Sequence, residues 1–332
     1  MMVKVAINGF GRIGRQLFQV GFKDPDIQWV GINDLTDAKA LAYLLKYDSV
    51  YGRFPGDVNH KEHALVVEGK TIPVFAEKDP SKLPWKQLGV DVVLECTGFF
   101  TKREGAMLHL KAGAKKVLIS APGKGSDFTL VRGVNEHLYD KTKHNIISNA
   151  SCTTNATAPL VKVLNDNLGI KRGYLITAHA YTATQRLIDG PSRKDPRRGR
   201  HAAINIIPTT TGASKAIGMV IPEVEGKLQG FAWRVPVPVG SIVTLVVEVN
   251  TPTDVKKINW LYSEVSKHHL QNILGYTEDP LVLQDIVQDP HSVIFDSLST
   301  KVIDGTLVNI SGWYDNEWGF SNRMIEVVKM LF

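Results

Sequence analysis

The stretch Val3-Lys4-Val5-Ala6-Ile7-Asn8-Gly9-Phe10-Gly11-Arg12-Ile13-Gly14 reads as an apolar strand, a glycine turn and the start of a helix. From Arg12 to Phe22 the apolar Ile13, Leu17 and Val20 recur at helical spacing, and Ile27-Gln28-Trp29-Val30-Gly31-Ile32 reads as a second strand. Asp34 stands just past that strand, 20 positions after Gly14. Gly9, Gly11 and Gly14 between a strand and a helix, with an acid at this offset, form the pattern of a βαβ dinucleotide site. The glycines let a pyrophosphate approach the N–H groups of the helix start. Asp34 would accept hydrogen bonds from the adenosine ribose hydroxyls and repel a 2′-phosphate, so NAD is expected rather than NADP. The alternative is a glycine-rich turn with no ligand, which leaves the spacing of Asp34 unexplained.

Outward from this unit, strand and helix patterns keep alternating. Asp91–Cys96 and Lys115–Ser120 read as strands, with a helix from Glu104 to Ala112 between them. Such alternation implies a parallel sheet covered on both faces. After Cys152 the strand-like runs lengthen: Tyr174–Tyr181, Ser241–Val249, Ser292–Asp296 and Leu307–Tyr314. A helix is expected from about Asp254 to Leu270, with Thr253 as its N-cap. The fold class expected is α/β. An N-terminal Rossmann-type parallel-sheet domain (1–151) is completed by a C-terminal helix within 316–332, starting near Gly319. An α+β catalytic domain with a mixed or antiparallel sheet covers 152–315.

At 332 residues the chain is long enough for two domains, and 43% hydrophobic with 22% charged residues suits a soluble globular protein. The two cysteines, Cys96 in an apolar run and Cys152 in a polar one, do not make a disulfide framework. The N-terminus enters a strand pattern without a signal-peptide layout, and no run of about 18 apolar residues occurs. A cytoplasmic protein with no membrane association is expected. The net charge of +6 suits an anionic substrate or cofactor. The basic cluster Arg193-Lys194-Asp195-Pro196-Arg197-Arg198-Gly199-Arg200 reads first as a solvated loop. No nucleic-acid motif accompanies it, so nucleic-acid binding is at most a secondary role.

Three groups of residues bear chemistry. In Ser148-Asn149-Ala150-Ser151-Cys152-Thr153-Thr154-Asn155 a cysteine falls between the strand Asn145-Ile146-Ile147 and a helix. Unpaired N–H groups and the macrodipole at a helix start lower a thiol pKa and favour a nucleophilic thiolate. A buried core cysteine is the bland alternative. His179 ends the strand-like Leu175-Ile176-Thr177-Ala178-His179-Ala180-Tyr181, either as a structural histidine or as the base a thiol nucleophile needs. Thr209-Thr210-Thr211-Gly212-Ala213 presents hydroxyls and N–H groups to an oxyanion. Arg234, in the mostly apolar Phe231–Pro236, needs either a phosphate ligand or a salt-bridge partner. His60 with His63, and His268 with His269, lack the other ligands of a metal site, and no metal is expected.

With these residues in view, the chain resembles the phosphorylating glyceraldehyde-3-phosphate dehydrogenase family over essentially its whole length. The resemblance rests on Asn8–Arg15, Glu95-Cys96-Thr97-Gly98, Ala150–Asn155, His179–Gln185, Thr211-Gly212-Ala213 and Trp313-Tyr314-Asp315-Asn316-Glu317. It implies glyceraldehyde 3-phosphate, inorganic phosphate and NAD as reactants, 1,3-bisphosphoglycerate as product, and a thiohemiacetal and thioester on Cys152. His179 would be the proton-transfer partner. Gly9, Gly11, Arg12, Ile13, Gly14, Asp34, Lys78, Thr97, Ser120 and Asn316 would contact NAD. Thr182 and Arg234 would hold the substrate phosphate, and Ser151, Thr153, Thr211 and Gly212 the attacking phosphate. The segment from Tyr181 to about Arg200 resembles a loop that in this family lines a neighbouring subunit's cofactor channel, which implies a homotetramer. Ala156, Lys78, Phe320 and Thr184 depart from residues common in relatives, and none is a reacting group. Leu35 and Gly190-Pro191 support NAD. Erythrose-4-phosphate dehydrogenase is the nearest alternative; a semialdehyde dehydrogenase would be expected to use NADP, against Asp34.

Overall fold

The strand that opens the sequence lies in the middle of a nine-stranded sheet in a computed structural model that describes residues 2–192 and 195–332. Arg193 and Lys194 of the basic cluster lie outside the described residues. The chain forms two units. One comprises Met1–Leu130, His137–Ala150 and Ser321–Phe332; the other comprises Val131–Glu136 and Ser151–Phe320.

In the first unit, β1 (Val3–Asn8), α1 (Arg12–Gly21), β2 (Ile27–Asn33) and α2 (Ala38–Lys46) open the chain. A small hairpin, β3 (Tyr47–Asp48) and β4 (Gly52–Arg53), follows, then a meander of β5 (Val58–Lys61), β6 (Ala64–Val67) and β7 (Lys70–Phe75). Next come α3 (Trp85–Leu88), β8 (Val92–Glu95), α4 (Arg103–Lys111), β9 (Lys116–Ile119), β10 (Phe128–Thr129) and β11 (Ile146–Ser148). The sheet order is β10-β11-β9-β8-β1-β2-β7-β6-β5. It is parallel from β10 to β7 and antiparallel beyond. β8 and β9 are buried at every residue, as strands covered on both faces must be. The chain winds outward from β1 in both directions, so the carboxyl ends of β1, β2 and β8 border a crevice.

The second unit starts with α5 (Cys152–Leu168) and β12 (Ile170–Ala180), followed by β13 (Ile207–Thr210), α6 (Ala213–Val220), β14 (Leu228–Val235) and β15 (Ser241–Val249). It continues with α7 (Val255–Lys267), β16 (Leu274–Thr277), β17 (Val293–Ile303) and β18 (Leu307–Tyr314). α8 (Trp318–Met330) closes the chain. The sheet order is β13-β14-β12-β15-β18-β17-β16, a mixed sheet with parallel pairs β12/β14 and β16/β17. β15 alternates strictly between buried and half-buried residues, the period of a sheet with one face on the core.

Two expectations are corrected here. The N-cap of α7 is Asp254, whose carboxylate accepts the Lys257 N–H at 2.8 Å, not Thr253. β17 runs to Ile303 instead of stopping at Asp296, because a register shift between Asp296 and Lys301 carries the polar Ser299-Thr300 through the strand. Among the described residues no helix is long and apolar enough to cross a membrane.

Candidate active site

Cys152 is the first residue of α5, and Ser151 is its N-cap, accepting the Thr154 N–H on Oγ at 3.1 Å. The motif therefore delivers the thiol to a helix start, as its place between a strand pattern and a helix pattern implies. Cys152 Sγ lies 3.4 Å from His179 Nε2. His179 is the penultimate residue of β12 and pairs in register with Arg234 on the parallel neighbour β14. Side chains at matched positions of a parallel pair share a face, so this register brings the guanidinium to the imidazole. Arg234 Nη1 is 2.6 Å from His179 Nδ1 and donates to the Ala180 carbonyl at 2.8 Å. His179 Nδ1 is itself 2.7 Å from that carbonyl. The tautomer with its proton on Nδ1 donates to that carbonyl, which Arg234 Nη1 also reaches, and offers the Nε2 lone pair to the thiol.

The electrostatics correct one expectation. Burial pushes the Cys152 thiol above its ordinary pKa, and it outweighs the lowering by the Arg234 charge, the Thr153 hydroxyl and the N–H groups of Thr153 and Cys152. The helix start acts in the expected direction but does not win, because desolvation penalises the charged form. Burial, and then the Arg234 charge, bring His179 down to about 3. Both shifts favour the uncharged forms, a thiol facing a neutral imidazole, which suits proton transfer between them.

Arg234 has no carboxylate partner among the described residues, and its Nε is buried without a hydrogen bond. The salt-bridge alternative is therefore not what the structure contains, and an orphaned buried guanidinium nitrogen fits an anionic ligand. Thr182 Oγ1 lies 2.9 Å from Thr184 Oγ1, which accepts from Arg198 Nη2 at 2.6 Å. Thr184 and Arg198 line a cavity of about 560 Å³ with Gln185, Arg186 and Ser192. Thr153 Oγ1 lies 3.0 Å from the Tyr314 hydroxyl, which lies 3.1 Å from Thr177 Oγ1. Thr211 Oγ1 accepts the Ala213 N–H at 3.2 Å, and Gly212 is the N-cap of α6. Asn316 Oδ1 accepts from Gly240 N and Ser241 Oγ, which leaves its amide nitrogen as the end for a ligand.

In the first unit a cavity of about 540 Å³ is lined by Gly9, Gly11, Asp34, Lys78 and Thr97, together with Asn8, Asn33, Leu35, Glu77, Cys96, Phe99 and Phe100. Gly9 has φ +94°, and a Cβ there would stand 2.7 Å from Thr97 N; one on Gly14 would stand 2.2 Å from Gly9 O. A Cβ on Gly11 would meet nothing, and no side chain caps the N-terminus of α1. This is a cradle left open to a ligand at a helix start without a side-chain cap, and it fits the pyrophosphate of NAD. Asp34 Oδ2 accepts the Phe10 N–H at 2.8 Å, which holds its carboxylate over the turn. Arg12, Ile13, Gly14 and Ser120 do not line the cavity. Arg12 pairs with Asp48 at 2.7 Å, and Ser120 Oγ donates to the Glu95 carbonyl. Burial pushes the Cys96 thiol far above its ordinary range, in keeping with an inert role.

Sequence reasoning assigned no role to Tyr314, Arg198 or Phe99. Tyr314 and Arg198 lay inside segments already singled out, so position gave a signal. Phe99 is 86% exposed at the cavity wall, a fact only a structure supplies.

A family profile described as glyceraldehyde 3-phosphate dehydrogenase, NAD binding domain, matches residues 3–103, and one described as the C-terminal domain of the same enzyme matches residues 151–316. The chain is 56% identical over 332 residues to the glyceraldehyde-3-phosphate dehydrogenase of Thermotoga maritima, covering 99% of each chain. It is 53% identical over 327 residues to glyceraldehyde-3-phosphate dehydrogenase 1 of Bacillus subtilis, and equally to the enzyme of Geobacillus stearothermophilus; in both, 98% of this chain and 97% of the relative are covered. With a helix-start cysteine against a histidine, an arginine whose buried Nε has no hydrogen bond and a glycine cradle, the chain belongs to the glyceraldehyde 3-phosphate dehydrogenase family.

Proposed function

We propose that the chain oxidises glyceraldehyde 3-phosphate to 1,3-bisphosphoglycerate, using NAD and inorganic phosphate. The observation that carries the reading is the 3.4 Å approach of Cys152 Sγ to His179 Nε2 beside Arg234. Arg234 and Thr182 hold the phosphate of the substrate. His179 Nε2 takes the thiol proton as Cys152 Sγ attacks the aldehyde carbon, and the N–H of Cys152 stabilises the developing oxyanion. The proton returns to that oxygen and gives the thiohemiacetal. His179 then accepts the hydroxyl proton as the carbon is oxidised to the thioester; NAD, when bound, supplies the hydride acceptor. Ser151, Thr153, Thr211 and Gly212 orient inorganic phosphate for attack on the thioester carbon. His179 returns its proton to the departing sulfur.

NAD would be held by Gly9, Gly11, Gly14, Asp34, Lys78 and Thr97, with Arg12, Ile13 and Ser120 supporting the turn and Asn316 as a further contact. The division of labour in this reading is 1–151 with 316–332 for the cofactor and 152–315 for the chemistry. The working form is a homotetramer in the cytoplasm, with the loop from Tyr181 to about Arg200 at a subunit boundary.

The test is NADH formation by the purified chain with glyceraldehyde 3-phosphate, with and without inorganic phosphate, repeated with Cys152→Ala. Sustained turnover that needs phosphate and vanishes in the variant is expected. Turnover indifferent to phosphate, or surviving the substitution, would sink the proposal.

A further inference from the structure

Behind the dinucleotide cavity lies a hydrogen-bond network whose members are fully or largely buried. Glu95 is the last residue of β8 and pairs in register with Asn8, the last residue of β1. Its Oε1 accepts the Thr97 N–H at 2.8 Å and also meets the Thr97 hydroxyl. Its Oε2 accepts from Asn8 Nδ2 at 2.6 Å and lies 3.1 Å from His109 Nε2. His109 is wholly buried on α4, and its Nδ1 faces the indole nitrogen of Trp85 at 3.1 Å. An indole N–H only donates, so Nδ1 accepts and Nε2 carries the ring proton toward Glu95. On the far side, Asn8 Oδ1 accepts from Asn33 Nδ2 at 2.7 Å, and Asn33 exchanges hydrogen bonds with the backbone of Glu77.

The direction of the bonds is therefore set from Trp85 through to Glu77. Asn8, Asn33, Glu77 and Thr97 all line the cavity, whereas Glu95, His109 and Trp85 do not. Thr97 Oγ1 also accepts the N–H of Phe99, the exposed aromatic of the cavity wall. With its proton given to Glu95, that hydroxyl can only accept from a ligand.

We propose that Glu95 is a positioning residue for dinucleotide binding: it gathers the donors of β1, α4 and the Thr97–Phe99 turn, and so fixes which groups the cavity wall presents. The proposal rests on NAD occupying this cavity. A glutamine cannot replace Glu95 isosterically here, because its amide needs acceptors where Asn8, His109 and the Thr97 N–H all donate. A glutamine at 109 can instead reproduce the histidine, donating to Glu95 and accepting from Trp85.

The experiment measures NAD dissociation constants by calorimetry for the full chain and for Glu95→Gln, His109→Leu and His109→Gln, with melting temperature and steady-state kinetics alongside. Leaving buried partners unmade corresponds to a loss of about tenfold or more in affinity for Glu95→Gln and His109→Leu. The KM for NAD is expected to rise by a similar factor and kcat to fall by less, with His109→Gln restoring most of the affinity. Unchanged affinity in both disruptive variants, even with a lower melting temperature, would reduce the network to a structural role and overturn the proposal. A second measurement needs no variant of the network. NAD titrated into protein carrying ¹⁵N-tryptophan, with the Trp85 indole signal identified by Trp85→Phe, should shift that signal through His109 and Glu95; a signal that does not move overturns the proposal. Wild-type protein that fails to bind NAD would instead overturn the cofactor reading beneath it.

Discussion

Arg234 exerts opposing influences at the reacting pair. Its charge is the largest of the effects that lower the Cys152 thiol, and it also disfavours a proton on His179. Removing a cation beside a thiol raises its pKa. Arg234→Gln is therefore expected to move the pH profile of Cys152 alkylation upward and to slow alkylation at fixed neutral pH. The same change should raise the KM for the phosphorylated aldehyde by about 10–100-fold, the worth of a hydrogen bond to a charged group. An alkylation profile that stays put or moves down would refute this account of the guanidinium. Cys152, His179 and Arg234 could each be picked from the sequence because each sits in a distinctive local setting. Their meeting could not, because Arg234 lies 55 positions from His179 and parallel pairing joins them. The direction of the thiol shift was also out of reach, because desolvation depends on atoms contributed by the whole site. The Glu95 network is hidden for the same reason: no spacing pattern links Trp85, Glu95 and His109.

At the scale of elements, caps and loop anchors carry testable weight. Asp254→Ala removes the acceptor for the Lys257 N–H and should cost about 1 kcal/mol in urea unfolding. No loss of stability would return the cap to another group. Asp127 anchors the loop before β11, accepting the N–H groups of Asn145 and Ile146 and pairing with Arg103. Burial alone would raise its pKa, but Arg103 and those N–H groups outweigh it and hold the carboxyl below the ordinary range. A depressed folded pKa means a stabilisation present above the unfolded value of about 3.9 and lost as pH falls through the folded value. The melting-temperature gap between wild type and Asp127→Asn should be open at pH 5–7 and close as pH drops below about 4; a gap that persists in acid would contradict it. The glycine-bounded βαβ start and the apolar strands β8 and β9 were readable because their periods are short and local. The second half of β17 is hidden in the sequence because Ser299 and Thr300 break the apolar run, and only the structure shows that pairing with β18 resumes at Lys301. Thr253 and Asp254 are adjacent cap-forming residues that compete for the start of α7, and only backbone geometry separates them.

At the scale of the whole molecule, Leu187, Ile188, Ile204 and Ile206 are 68–76% exposed. Four large apolar side chains within so short a segment are more than scattered surface hydrophobes require. Sedimentation equilibrium should give a species about four times the chain mass of 36.7 kDa. Ile204→Asp should shift the distribution to smaller species, and a wild-type monomer would end the proposed assembly. The pairing of His179 with Arg234 also bears on how such a chain can change over generations. A substitution at Ala178 or Trp233 leaves the two strands aligned. One codon gained or lost within either strand slides it by a residue and turns its side chains to the opposite face. Lineages descended from such a protein are free to drift in composition along these strands, while the number of residues in each stays locked, and insertions that survive will be found in the loops outside them.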